Sequence, residues 1–462
     1  MKAFRALLVS TYDLGRQPFG LASPAARLER EGVAVTLNDL AVEHLDEAAA
    51  RTAELIAIHV PMHTATRLAA RLLPHLRALN PTAHLACYGL YAPMNSAHLR
   101  ALGAQTILGG EFEEGLAAIA MALARGESAP ELPEISLERQ RFEIPSRGML
   151  PSLDRYARLR DGDVRERTVG YTEATRGCKH LCRHCPVVPV YSGRFRAIDR
   201  EVVLEDIRRQ VAMGAQHITF GDPDFWNAPG HALPLVRALH EEFPSLTYDV
   251  TIKVEHLLRH VEHIATLRDT GCLFVTTAVE SLDNEVLARL DKGHTAADFE
   301  RVVALFRHTN LHLAPTFVTF TPWTTLESYA DLLERIETLD LVDSVAPIQF
   351  AIRLLIPAGS RLLELEEIRA LANEFDLDAL SWQWKHADER VDALHTDALS
   401  CVRAGEARHK PRRAIFEELR ALAHAYRYAN GAVREMAEMT LDAAGLAPPR
   451  APVPYLTEPW FC

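Results

Sequence analysis

Apolar runs alternate with helical patterns through roughly the first 125 residues. AFRALLVST, VAVTLNDL, LIAIHV, HLACYGL and TILGG read as strands, and SPAARLEREG, TRLAARLLPHLRAL and EEGLAAIAMALARG as helices. This alternation predicts a parallel sheet covered on both faces, a doubly wound Rossmann-like α/β domain over 1–125. Ligands of such sheets sit at the carboxyl ends of the strands. Over 126–167 the pattern lapses, and Pro130, Pro133, Pro145 and Pro151 interrupt a charged segment, as in a linker or wrapping arm. From Tyr171 a second alternation begins, with strands expected at YTEATRG, HITFGD, TYDVTIK, CLFVTTAVES, LAPTFVTF and PIQFAIRLLI. The first five are each followed by a helical stretch, which predicts a partial (βα)6 TIM-type barrel over 168–365 with its chemistry at the strands' carboxyl ends. A charged, helical extension over 366–445 and a Pro-rich tail over 446–462 complete the chain.

The 462 residues correspond to about three domains, and 48% hydrophobic with 24% charged residues is a globular mix. Net charge is −12. That argues against a general nucleic-acid or anionic-membrane binder, although a local basic groove remains compatible with it. No stretch approaches the ~20 apolar residues of a membrane span. The N-terminus has an apolar run without a small-residue cleavage site, so a cytoplasmic location is expected.

Seven cysteines are present, and Cys178, Cys182 and Cys185 fall within eight residues at C-x3-C-x2-C, directly after the first expected barrel strand. In a reducing compartment such clustering points to metal or redox chemistry rather than disulfides. Three thiolates on one loop can hold three irons of a [4Fe–4S] cluster and leave the fourth iron open to a substrate. A structural zinc, with His180 or His184 as fourth ligand, is the competing reading, although the usual second ligand pair is missing. Cys272 and Cys87 lie in strands and read as small buried residues.

The motif in this position resembles the radical S-adenosylmethionine superfamily over about residues 168–365. The resemblance implies S-adenosylmethionine bound through its amino and carboxylate groups to the unique iron. One-electron cleavage of a C–S bond then usually yields methionine and a 5′-deoxyadenosyl radical, and a flavodoxin- or ferredoxin-type protein supplies the electron. His184 stands where an aromatic residue is common. Gly221 and Asp222 end the second strand, where the family binds the methionine ammonium, and an Asp-Pro turn is the plainer reading. Glu280 and Ser281 end the fourth strand, where relatives contact the ribose, and Arg353 on the sixth could reach the cofactor's carboxylate or adenine. Lys253 and Glu255 are either ligand groups or an exposed ion pair. Arg176, Lys179, Arg183, Arg194 and Arg196 make the loop basic, suited to offset a thiolate cluster and attract an acidic donor, or simply a solvated face.

In the first domain, Gly110-Glu-Phe-Glu113 resembles the G-E-x-E element of cobalamin-binding domains fused to radical enzymes, so cobalamin is a further cofactor to test. The D-x-H-x-x-G motif is absent, the first loop reading Asp13-Leu-Gly-Arg-Gln-Pro-Phe-Gly20. His59 and His63 end the third strand and read as satisfied or surface histidines. The whole chain resembles bacterial radical enzymes named for a Cys-Cys-Ala-Glu-Pro or Cys-selenocysteine-Ala-Glu-Pro tail. STYDLGRQPFGLASPAARL, PMHTATRL, the cysteine loop with PVVPVYSGRFR, ITFGDPDF, YDVTIKVEHLLRH, LDKGHT, FTPWTTLESY and IRLLIPAGS carry that resemblance. Cys462 falls where the tail's first cysteine would, so a selenocysteine codon read as a stop is expected after it. A terminal thiol suits a soft ligand or a resolving, catalytic group, or is an incidental cysteine on a disordered end. The expected activity is reductive cleavage of S-adenosylmethionine and radical transfer to a small-molecule substrate. Cobalamin-dependent methyl transfer and 3-amino-3-carboxypropyl transfer to a soft atom are alternatives, and a non-catalytic iron–sulfur redox or sensor protein is the alternative class.

Overall fold

The computed structural model describes residues 3–161, 165–428 and 451–457. The first unit runs β1 (Arg5–Ser10), α1 (Phe19–Arg30), β2 (Ala34–Asp39), α2 (Glu47–Thr52), β3 (Leu55–His59), α3 (His63–Leu79), β4 (His84–Tyr88), α4 (Ser96–Ala101), β5 (Thr106–Gly110), α5 (Glu113–Ala124) and β6 (Ile135–Ser136). Its sheet is parallel in the order β2-β1-β3-β4-β5-β6. The inner strands β1, β3, β4 and β5 are buried on both faces, so they read as continuous apolar runs. One face packs Leu8, Ala57 and Ala86 on α1 and α5, and the other packs Leu7, Ile56 and Leu85 on α3.

The segment expected as a linker is a wrapping arm. Its β6 extends the first sheet beside Gly109 and Gly110. Further along it, Arg147 is 3% exposed and joins three parts of the chain. It donates to Asp206 Oδ1 at 2.6 Å and Oδ2 at 2.9 Å, to Gln17 Oε1 at 2.8 Å and to the Tyr171 carbonyl at 2.7 Å.

The second unit continues through β7 (Arg158–Asp161), β8 (Arg165–Thr172), β9 (Thr175–Gly177), α6 (Val187–Tyr191), β10 (Phe195–Ala197), α7 (Arg200–Ala212), β11 (His217–Phe220), α8 (Pro229–Glu242), β12 (Thr247–Thr251), α9 (Val254–Arg259), α10 (Ile264–Asp269) and β13 (Cys272–Glu280). It proceeds with α11 (Asn284–Arg289), α12 (Ala296–Thr309), β14 (His312–Phe317), α13 (Leu326–Thr338), α14 (Glu366–Leu371), the hairpin β15 (Glu374–Asp376) and β16 (Ser381–Gln383), α15 (Glu389–Ala407), α16 (Arg412–Tyr428) and β17 (Tyr455–Leu456). Strands β8, β11, β12, β13 and β14 are parallel neighbours, with β7 and β17 added antiparallel at one edge.

Three expectations need correction. The segment expected as the first barrel strand is split. β8 ends at Thr172, and Thr175–Gly177 turns away to pair antiparallel with Phe195–Ala197. The sixth strand shrinks to one parallel bridge, Phe320 to Arg353. Pro347 starts a 3-10 turn there, and the Gln349 side chain accepts from the Phe317 amide at 2.9 Å in place of a strand carbonyl. Thirdly, part of the tail is sheet: Tyr455 pairs with Arg160 and Leu456 with Leu159. α15 and α16 share the barrel's core through Val391, Leu394, Ile415 and Phe416. No helix among the described residues is long and apolar enough to cross a membrane.

Candidate functional site

The cysteine loop hangs from the β9–β10 ribbon. Gly177 starts it at φ +77°, and a Cβ there would lie 2.4 Å from the Tyr191 ring, so only glycine fits. Asn227 pins the turn, donating to the Gly177 carbonyl at 3.2 Å and accepting from the Lys179 amide at 3.1 Å. Farther along, the Arg183 amide donates to the Leu290 carbonyl at 2.9 Å and its side chain to the Arg289 carbonyl at 2.9 Å. Leu90 and Leu137, from the first domain and the arm, pack with Cys185 against the cluster of Cys178, Val187, Val190 and Tyr191.

Cys178 and Cys182 are buried and Cys185 half-buried. Burial pushes the Cys178 thiol up to about 12 and the Cys185 thiol up to about 11, with neighbouring thiols adding to the cost of charge. Thiolates here therefore require a cation beside them. Two buried ammonium groups face the sulfurs. Lys253 Nζ lies 3.6 Å from Cys182 Sγ, and the charge of Lys292 acts on Cys182 and Cys185. This donor set fits an iron–sulfur cluster, whose sulfurs carry excess negative charge. One ligand atom each of Cys178, His180 and Asp224 lies within 4.8 Å of the others, and Asp224 Oδ2 already sits 3.5 Å from His180 Nε2 and 2.7 Å from His256 Nδ1.

Glu280 closes β13 with φ +70°, a strained value for a residue with a side chain, next to a register shift between β13 and β14. Its Oε1 lies 3.1 Å from His184 Nε2 and 3.2 Å from Lys292 Nζ. Burial alone would raise this carboxyl, but Lys292 and His184 hold it far below the usual carboxylate range. Cys182, Cys185, His184, Lys253, Glu280 and Lys292 thus share one end of the barrel. Lys253 is 7% exposed and so is no surface ion pair, although Glu255 lies 3.9 Å away. The sequence reading missed Lys292. Its signal was a lysine twelve residues after a strand-end carboxylate, in the stretch LDKGHT.

Other expected ligands are placed differently. Asp222 is 2% exposed and braces the β8–β9 turn, accepting from the Ala174 amide at 3.0 Å and Thr175 Oγ1 at 2.6 Å. Burial lifts it to about 7. Gly221 leaves no room for a Cβ, which would fall 1.8 Å from the Tyr171 hydroxyl. Ser281 Oγ accepts from the Asp283 amide at 3.0 Å, a turn before α11. Arg353 faces the C-terminal extension: it donates to Asp392 at 2.7 Å and the Trp384 carbonyl at 2.9 Å, with its guanidinium 3.6 Å over the Trp384 ring. Cys462 lies outside the described residues.

Arg176 turns away from the loop into the first domain. Its guanidinium lies 2.7 Å from Glu113, 2.7 Å from Glu173 and 3.6 Å from Glu111. The two glutamates of the G-E-x-E element are therefore engaged by the barrel. His59 is buried, held neutral with its pKa lowered to about 3 by burial, and its ring would collide with any side chain at Gly20. Tyr88 and Phe112 lie beside it with tilted rings, their centroids 5.2 and 6.1 Å from that of His59.

A cavity of about 300 Å³ runs down the barrel interior from Gly221 and Asp222 past Thr219, Thr251 and Thr276 to Arg412 and Tyr455. Residues 454–457 of the tail form one of its walls.

Residues 172–339 match the Radical SAM superfamily, so the barrel is a radical SAM domain. The chain is 25% identical over 212 residues to a tRNA-2-methylthio-N(6)-dimethylallyladenosine synthase of Herpetosiphon aurantiacus, covering 43% of this chain and 46% of that protein. It is 26% identical over 224 residues to a hopanoid C-3 methylase of Methylococcus capsulatus, covering 45% and 42%. It spans less than half the length of these relatives. Among solved structures, the cobalamin-dependent S-adenosylmethionine radical enzyme OxsB aligns over 92% of this chain and 72% of its own, with TM-score 0.66 and 12% identity. The radical S-adenosylmethionine methyltransferase TsrM from Kitasatospora setae aligns over 73% and 72%, with TM-score 0.57 and 19% identity. Likeness at these identities concerns the fold of both units.

Proposed function

We propose that this protein is a radical S-adenosylmethionine enzyme acting on a small molecule. The observation that carries the reading is the pinned loop of three cysteines at the barrel's end, faced by the buried ammonium groups of Lys253 and Lys292. When bound, a [4Fe–4S] cluster supplies one electron for cleavage of S-adenosylmethionine at its open iron. Cys178, Cys182 and Cys185 hold the cluster. Lys253 and Lys292 balance its charge, and Glu280, oriented by His184 and Lys292, faces the cofactor. Gly221 and Asp222 shape the rim, Ser281 lies beside it, and Arg353 acts at one remove by fixing α15. The interior cavity is the substrate site. Its volume is that of roughly ten waters, a small-molecule size, and its wall of hydroxyls, carboxylates and Arg412 suits a polar compound. Net charge of −12 likewise disfavours the tRNA named for one relative. A flavodoxin- or ferredoxin-type donor and a cytoplasmic location belong to this reading.

Membership of the Cys-Cys-Ala-Glu-Pro or selenocysteine tail family rests on the quoted stretches. Strand β17 runs parallel to the barrel strands, being antiparallel to β7, which is antiparallel to β8. It therefore heads toward the cysteine end. Cys462, which the tail resemblance places at the position of the tail's first cysteine, is the proposed catalytic thiol. A second reading, cobalamin-dependent methyl transfer, is favoured by the fold of OxsB across 92% of the chain. Anaerobic reconstitution with iron, sulfide and dithionite, with and without cobalamin, tests both. 5′-Deoxyadenosine as the product supports the first reading, cobalamin-dependent S-adenosylhomocysteine the second, and methylthioadenosine points to aminocarboxypropyl transfer. A cluster that forms yet leaves S-adenosylmethionine intact overturns the enzymatic reading in favour of a redox or sensor protein.

A further inference from the structure

We propose that His260, Glu262 and His263 bind one divalent d-block cation on the outer wall of the barrel. One ligand atom from each lies within 4.8 Å of the others. The two histidines are brought together by a 3-10 turn, Val261–His263, that directly follows α9, with the His263 amide donating to the His260 carbonyl at 3.0 Å. Their rings lie near-parallel, 14° apart with centroids at 6.1 Å. Ligand atoms around a tetrahedral ion are roughly 3.3 Å apart, so small side-chain rotations close the set. The neighbouring cation, Arg259, is already paired with Glu255 at 2.5 Å.

Two imidazoles and one carboxylate select Zn²⁺, Co²⁺, Ni²⁺ or Fe²⁺ over Mg²⁺ and Ca²⁺, which prefer all-oxygen shells. Glu262 keeps 59% and His263 31% of its side chain exposed, so water completes the shell and the ion enters freely.

The site has a rigid inner wall. Trp226 is fully buried and meets both rings edge-on, with centroids 6.0 Å from His260 and 6.4 Å from His263. The array also continues inward. His256 lies 6.0 Å from His260 and 4.7 Å from His180, and Asp224 sits between His256 and His180. A bound ion would brace this row and, through it, the loop that carries Cys178.

Trp226 reports on the site without reference to catalysis. Cluster-loaded protein is titrated anaerobically with CoCl₂ while tryptophan emission is followed, and Trp226→Phe identifies the share of that indole. The expected result is quenching of that share, saturating at one equivalent. His260→Ala/His263→Ala should abolish it, and Glu262→Gln, at an exposed position that leaves the fold intact, should weaken binding severalfold. Cluster absorbance should stay unchanged in all of them. The assignment is overturned if quenching fails to saturate at one equivalent or persists in the double variant. It is also overturned if a thiolate-to-cobalt charge-transfer band shows capture at the cysteine loop instead. The test is independent of the catalytic reading, since it needs no turnover.

Discussion

Replacing Arg176 by methionine tests whether the first domain holds the cysteine loop in place. Arg176 is 6% exposed. It touches three carboxylates and lies 4.9 Å from the Phe112 ring, 5.0 Å from Phe142 and 5.5 Å from Phe19. Methionine keeps most of the apolar contact beneath those rings but leaves buried Glu111 and Glu113 and half-buried Glu173 without their cation. Breaking a buried pair from one side costs about 3–5 kcal/mol, a large part of the ~5–15 kcal/mol that stabilises a domain. Some of that cost is avoided if the carboxyls take up protons. Burial already raises Glu111 to about 7. Such a group, with its folded pKa above its unfolded one, stabilises at low pH and loses that contribution as pH rises through the folded value. The deficit of Arg176→Met should therefore be ~3–5 kcal/mol near pH 8 and clearly smaller near pH 5.5. Arg176→Met/Glu113→Gln should recover at least about 1 kcal/mol. Urea unfolding of the cluster-free chain, followed by tryptophan emission at both pH values, measures these differences. A deficit under about 0.5 kcal/mol, or one equal at both pH values, would refute the account of the cage.

Two further outcomes are expected. Cys178→Ser, Cys182→Ser and Cys185→Ser should each lose most of the reconstituted iron. Cys272→Ser, whose buried thiol packs in the barrel core and donates to the Phe274 carbonyl at 3.3 Å, should keep it; iron and sulfide analysis on anaerobic protein decides. Asp13 is 7% exposed, and burial lifts it to about 7 despite the attraction of Arg16. Because the folded value lies above the unfolded one, its favourable contribution disappears as pH rises through 7. Asp13→Asn should therefore gain about 1–4 kcal/mol at pH 8 and nothing near pH 4, read from urea midpoints; equal gains at both would contradict it.

Local pattern made much of the architecture legible. Strands such as LIAIHV and HLACYGL announce themselves because both faces are buried, and the cysteine spacing is visible because three ligands lie on one short loop. The misjudged elements share a cause: each depends on a partner distant in sequence. Thr175–Gly177 reads as strand in any setting, but only Phe195–Ala197, arriving after the loop, turns it out of the barrel. The sixth strand fails where Pro347 meets Gln349's capture of the Phe317 amide. Tyr455–Leu456 becomes sheet because β7 offers an open edge nearly 300 residues earlier.

The same division runs through the site. Residue types and spacing along the chain suffice to specify three thiols for an iron–sulfur cluster, since ligand chemistry depends on atoms held close together by covalent connection. Which charges stand beside those sulfurs was settled by folding alone. Lys253, just after β12, and Lys292, in the loop between α11 and α12, converge on them, whereas Arg176, two residues from Cys178, leaves for Glu113 of another domain. Electrostatic energy follows distance through space and the dielectric of the interior, and neither quantity is ordered along the backbone.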